Sequence, residues 1–154
     1  MNHNDFLNQL LGIANLHVTQ AEFEGEGQIH LRVTSTLSVA SCPTCGHLSD
    51  QPHDLSAVQL IRDLPIGERR CYLDYHACRF KCEPCQTTFV ERVAWKRTNG
   101  SYTARYERHV SQRVRRESVR QVALDEGLSE EATQAIFERE AKNDCGPRLS
   151  TSDC

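Results

Sequence analysis

Two short stretches, "CPTCGH" beginning at Cys42 and "CEPC" beginning at Cys82, restrict this chain more than any other feature. A Cys-x-x-Cys turn presents two thiolates to one metal ion and fills only half of a tetrahedral coordination sphere. Two such turns brought together complete a closed site of four sulfurs. Here 36 residues lie between Cys45 and Cys82, a wide spacing, but the intervening sequence reads as a hairpin able to return the chain to its start. Each pair also falls where a strand-forming run gives way to a turn.

That arrangement predicts a zinc ribbon with Cys42, Cys45, Cys82 and Cys85 as ligands. Two other readings stay open, a redox dithiol and unliganded thiols. A reactive dithiol belongs at a helix N-terminus, where the helix lowers the thiol pKa. The segments after the two pairs, "GHLSDQPHDL" and "QTTFVERV", do not form helices readily. Four thiolates leave no coordination position for water, so zinc catalysis is not expected and no catalytic residue is assigned. His47, His53 and His76 are weaker ligand candidates, Cys71 and Cys78 read as packing residues, and Cys145 and Cys154 fall in the C-terminal segment.

Eight cysteines without an export signal point to metal binding rather than a disulfide framework. No apolar run approaches the length of a membrane span, and the N-terminus resembles neither a secretory nor a transit peptide. The expectation is a cytoplasmic protein with no membrane partner.

Charge is distributed unevenly. Residues 1–61 carry a net −5, residues 62–120 a net +7 and residues 121–154 a net −5, so the overall −3 hides a basic middle. Such a band suits a polyanion, although an unevenly charged solvated surface has the same composition. Arg69, Arg70, Arg79 and Lys81 mark the hairpin, Arg92, Lys96 and Arg97 the exit from the ribbon, and Arg105, Arg113, Arg116 and Arg120 the segment beyond.

Periodicity gives an α+β chain. A short amphipathic helix is expected over residues 4–13, then two alternating runs, "LHVTQAEFE" and "QIHLRVTSTLSV", as a hairpin. Residues 42–54 read as a loop, "AVQLIRDL" as a strand, "ERRCYLDYHACRFKC" as one long strand and "TTFVERVAW" as another. Beyond "KRTNGSY", Tyr102, Tyr106, Val110 and Val114 recur every four residues and predict a helix. A second helix runs from Ser118 to Glu126, Gly127 stops it, and Ser129 caps a third that reaches Lys142. The expected divisions are an N-terminal helix and hairpin (1–40), a zinc ribbon (41–95), a three-helix, helix-turn-helix-like module (101–142) and a disordered tail (143–154).

Within "VRQVALDEGLSEEATQAIF", Ala123, Gly127, Leu128 and Ile136 occupy the positions a helix-turn-helix needs, a small contact residue, a turn glycine and apolar clamps. Glu126 and Thr133 stand where apolar residues are commoner. Ser129, Thr133 and Gln134 are the candidates for reaching base edges. Glu130, Glu131, Glu138 and Glu140 on the same helix would be repelled by phosphate, so a protein-facing helix is an alternative.

Taken together, "CPTCG", "IRDLPIGERRCYLDYHACRFKCEPCQTTFVER" and "VRQVALDEGLSEEATQAIFEREAK" resemble the N-terminal part of bacterial insertion-sequence transposases of the ISL-three family. The resemblance covers about residues 40–142. It implies a Zn2+ ribbon and a helix-turn-helix that together bind double-stranded DNA, the terminal inverted repeats of a mobile element. Family members continue into a catalytic domain with three metal-binding acidic residues, and no acidic residue of this chain matches them. The expectation is a non-catalytic, DNA-binding N-terminal fragment. Its alternatives are a protein-interaction module that regulates full-length transposase and, less favoured, a dithiol oxidoreductase.

Overall fold

The computed structural model describes residues 2–145 and shows an α+β chain that divides into two units, Met1–Thr103 and Ala104–Cys154. The first unit begins with helix α1 (His3–Leu11), started by an Asn2–Asp5 capping box and stopped by Gly12 in the left-handed region at φ 64°. Strands β1 (Leu16–Glu24) and β2 (Gln28–Ser35) follow as an antiparallel hairpin. They join β6 (Gln59–Ile66) and β7 (Arg69–His76) in one four-stranded sheet of order β1-β2-β7-β6.

The two central strands run parallel, with Ile29 opposite Cys71, Leu31 opposite Leu73 and Val33 opposite Tyr75. All six side chains are buried, because alternation on each strand turns the same parity to one face. Leu7 and Leu11 of α1 belong to that core. Asn8 fastens the helix to the sheet: its Oδ1 accepts the Val18 backbone N–H at 2.6 Å, satisfying a donor on the edge strand.

Residues 16–35 and 59–76 thus share one sheet, so the N-terminal hairpin and the segment between the cysteine pairs form a single body across residue 40. The ribbon is set into it. Strands β3 (Ala40–Ser41) and β4 (Leu48–Ser49) pair with each other, while β5 (Pro52–Leu55), β8 (Cys78–Cys82) and β9 (Thr87–Val90) form a three-stranded sheet of order β5-β8-β9.

Four expectations change. The long strand expected from Glu68 to Cys82 is two strands, broken at buried Ala77, where the chain leaves one sheet for the other. Ser56 secures the break from both sides, its N–H donating to the Ala77 carbonyl and its hydroxyl accepting the Ala77 N–H. The expected loop 42–54 contains β4, only two residues long, and the start of β5, which is exposed throughout, so neither shows alternation. The expected turn at "PIG" is shorter: β6 continues through Pro65 to Ile66, with a register shift after Asp63 that exempts the proline from the ladder. Tyr102 lies outside the helix, in a parallel bridge with Arg62, and Thr103 donates its hydroxyl to buried Asp63 at 2.8 Å.

The second unit contains α2 (Ala104–Val114), α3 (Val119–Glu126) and α4 (Glu130–Asp144). Ser118 and Ser129 cap the last two helices, and Gly127 adopts φ 66° between them, with its N–H and that of Leu128 closing on the Ala123 carbonyl. Helix α4 extends to Asp144, two residues into the expected tail; residues 146–154 lie outside the described residues.

Candidate metal centre and nucleic-acid interface

The two cysteine pairs occupy equivalent turns. Cys42 and Cys45 lie in the turn joining β3 to β4, while Cys82 ends β8 and Cys85 lies in the turn joining β8 to β9. In both, the residue after the second cysteine has a left-handed backbone, Gly46 at φ 77° and Gln86 at φ 54°. Glycine adopts this conformation freely; Gln86 is tethered there by its side-chain amide, which donates to the Glu83 carbonyl at 2.7 Å. The first turn is closed by the Gly46 N–H donating to the Cys42 carbonyl at 2.9 Å.

These turns bring the four Sγ atoms within 4.8 Å of one another, with Cys45 and Cys82 at 3.5 Å. Four sulfurs about 2.3 Å from one ion in tetrahedral array stand close to 3.8 Å apart, so the donor set fits a zinc ion in size, number and chemistry. Backbone N–H groups of Cys45 and Thr44 pull the Cys42 thiol down to about 6, while hydrogen bonding to the Cys45 and Cys82 thiols pushes Cys85 up to about 12. Binding a cation therefore expels protons from the cluster. Bound zinc would act here as a structural crosslink.

Below the cluster, Phe80 is fully buried and stacks on Phe89 with ring centroids 6.0 Å apart. Cys78 stands apart from the four-sulfur group, its thiol near the Arg79 carbonyl, and Cys71 lies in the core of the larger sheet. Neither cysteine pair leads into a helix: β4 and β9 follow them.

Sequence reasoning missed Glu91. It is buried, and its Oε1 accepts both the Tyr75 hydroxyl at 2.7 Å and the Cys78 N–H at 2.9 Å, while Oε2 accepts the Ser35 hydroxyl at 2.8 Å. One carboxylate thus ties the four-stranded sheet to the ribbon. Its position at the end of a polar, strand-forming run gives no hint of burial.

The expected DNA-contacting residues have different surroundings. Arg79 is held by Asp54, with Nε donating to Oδ1 at 2.6 Å, and Arg113 is shared among Glu117, Asp125 and Glu126. Arg69 lies over the Phe23 ring at 5.1 Å. Lys81, Arg92, Arg97, Arg116 and Arg120 are exposed, whereas Arg70, Lys96 and Arg105 are half-buried.

On α4 the expectation for Thr133 is corrected: the side chain is fully buried and its hydroxyl donates to the Ser129 carbonyl at 2.9 Å, so it packs within the helical unit and does not reach solvent. Ser129 accepts the Ala132 N–H as the cap, and the Gln134 amide donates to Glu138 at 3.0 Å. Glu126, the other departure from an apolar pattern, is buried and accepts from Tyr106, His109 and Arg113. Its hydrogen bonds replace the apolar contact expected there.

Among the described residues no helix is long and apolar enough to cross a membrane. No solved structure matches the chain. Residues 38–85 match the zinc-finger of transposase IS204/IS1001/IS1096/IS1165, and residues 91–141 match the helix-turn-helix domain of transposase family ISL3. Over 88 residues the chain is 35% identical to the transposase for insertion sequence element IS1001 of Bordetella parapertussis, an alignment covering 57% of this chain and 21% of that relative. The chain therefore spans about a fifth of the relative it matches. In sequence order, then, this chain carries the zinc-ribbon and helix-turn-helix domains of the ISL3 (ISL-three) family of transposases.

Proposed function

We propose that this chain binds the terminal inverted repeats of a mobile element and contributes no catalytic residue to strand cleavage or transfer. The observation that carries the reading is the convergence of four thiols in a chain whose next segment matches a transposase helix-turn-helix. Cys42, Cys45, Cys82 and Cys85 hold Zn2+ and fix the two turns. Lys81, Arg92, Lys96, Arg97, Arg116 and Arg120 neutralise phosphates, and Ser129 and Gln134 of α4 face the bases. Arg79 and Arg113 serve first as internal ion-pair partners. The protein acts in the cytoplasm, where its thiols stay reduced.

The test is DNA binding by zinc-loaded protein at two salt concentrations, beside a chelated sample. Binding that falls steeply with salt, as counterion release requires, and disappears on chelation supports the reading. Zinc-replete protein that fails to bind element ends at low salt refutes it.

A second reading rests on Glu130 and Glu131, both exposed in the first turn of α4. They give the end of this helix that would approach DNA a negative charge, suited to a basic protein surface such as one on full-length transposase. Salt-insensitive association with that protein, without DNA affinity, would favour this reading.

A further inference from the structure

The segment leaving β9 shapes a concavity of about 270 Å3 in the first unit, with Gln59, Arg92, Lys96, Thr98 and Asn99 in its lining. Its acidic lining residue, Glu91, has both carboxylate oxygens occupied by Tyr75, Cys78 and Ser35. Among the described residues neither Arg92 nor Lys96 forms an ion pair. Lys96 is half-buried, and its ammonium donates only to the Arg97 carbonyl, at 3.3 Å. Burial and the neighbouring Arg97 charge hold its pKa below the ordinary lysine value.

The backbone holds these groups in place. Lys96 bridges Thr103 in antiparallel fashion. The following turn is closed by the Gly100 N–H on the Arg97 carbonyl at 2.9 Å, and a Cβ on Gly100 would stand 3.0 Å from that same oxygen. Asn99 is held at φ 60°. Thr98 and Asn99 are thus presented at the rim by a hydrogen-bonded turn. Two cations without carboxylate partners, one of them half-buried and both beside hydrogen-bond donors, form a site that an anion completes electrostatically.

We propose that this concavity seats one phosphate group of the DNA backbone, bound by Lys96 and Arg92 with Thr98 and Asn99 donating at its rim. The proposal rests on the DNA-binding reading and deepens it, making the β-rich unit a DNA-contacting body in its own right. Because the contact is to phosphate, it adds affinity and register but no sequence preference.

The experiment measures affinity against salt for the full-length zinc-loaded protein and for its Lys96→Gln, Lys96→Arg and Arg92→Gln variants. Losing one phosphate contact lowers the slope of log affinity against log salt by about 0.9. The expected result is that drop for Lys96→Gln, a comparable one for Arg92→Gln, the parent slope for Lys96→Arg, and unchanged thermal midpoints. A parent that binds while both Gln variants keep its slope overturns the phosphate seat and leaves the DNA reading intact. A parent that does not bind overturns both.

A second arm follows the backbone amide resonances of Thr98 and Asn99 during titration with DNA and, separately, with inorganic phosphate. Shifts with DNA support the proposal. Shifts with inorganic phosphate alone identify a free-anion site and overturn it.

Discussion

The Glu126 carboxylate accepts the Tyr106 hydroxyl at 2.9 Å, joining the C-terminal end of α3 to α2. Burial alone would raise the Glu126 pKa, but hydrogen bonds from Tyr106, Arg113 and His109 outweigh it and hold the value below the ordinary 4.5. A carboxyl group depressed in the native state stabilises the fold above its unfolded pKa and loses that contribution as pH falls through the native value. Glu126→Gln should therefore lower stability at pH 7 by about 1.5–3 kcal/mol, the range for hydrogen bonds to a charged group. The gap in melting temperature between parent and variant should close as pH falls below about 4.5. A gap that stays constant down to pH 3 would show that the Glu126 charge is not involved.

Arg113→Ala removes the partner of Glu117, Asp125 and Glu126 together. Because Glu126 is buried, the cost should be about 2–3 kcal/mol, above that of an exposed ion pair. Arg120→Ala, at an exposed position, should change stability by less than about 0.5 kcal/mol and reduce the salt slope of DNA binding by about 0.9. Denaturant melts and binding isotherms on the two variants separate an internal from an external arginine.

Cys82→Ser should abolish stoichiometric zinc and unfold the ribbon, since a structural ion contributes folding free energy directly. Zinc content measured after dialysis is the readout, and one equivalent retained would count against the ligand assignment.

Phe80→Ala creates a cavity beneath the cluster and should cost about 3–5 kcal/mol. The loss should appear both in the zinc-loaded melt and as weaker retention of zinc against a chelator. Full retention at reduced stability would show that the Phe80–Phe89 stack does not support the cluster.

The four-cysteine cluster was legible because a closed zinc site needs four donors at turn positions, and the sequence displays them as two short repeats. The three C-terminal helices were legible through caps and stops, Ser118, Gly127 and Ser129, whose effects are local. What escaped depends on distant partners. Ala77 breaks a run of good strand formers because two sheets compete for the chain there. Glu91 and Glu126 look like surface acids until the Tyr75 and Tyr106 hydroxyls are placed beside them. Thr133 looked available to bases because its polarity suggested exposure, whereas its hydroxyl is satisfied one turn back, at Ser129.

The parallel pairing of β2 with β7 preorganises the two sulfur pairs as a chelate. Without the sheet, the two sulfur pairs are the ends of a floppy tetradentate ligand, and closing a flexible loop of that length costs entropy that grows logarithmically with its span. With β6 and β7 locked beside β2, half of that tether is already held in the sheet, and the second pair would reach an ion at higher effective molarity. Chelate strength is thus set partly by hydrocarbon packing at Leu31 and Leu73 in the sheet, not at the sulfurs themselves.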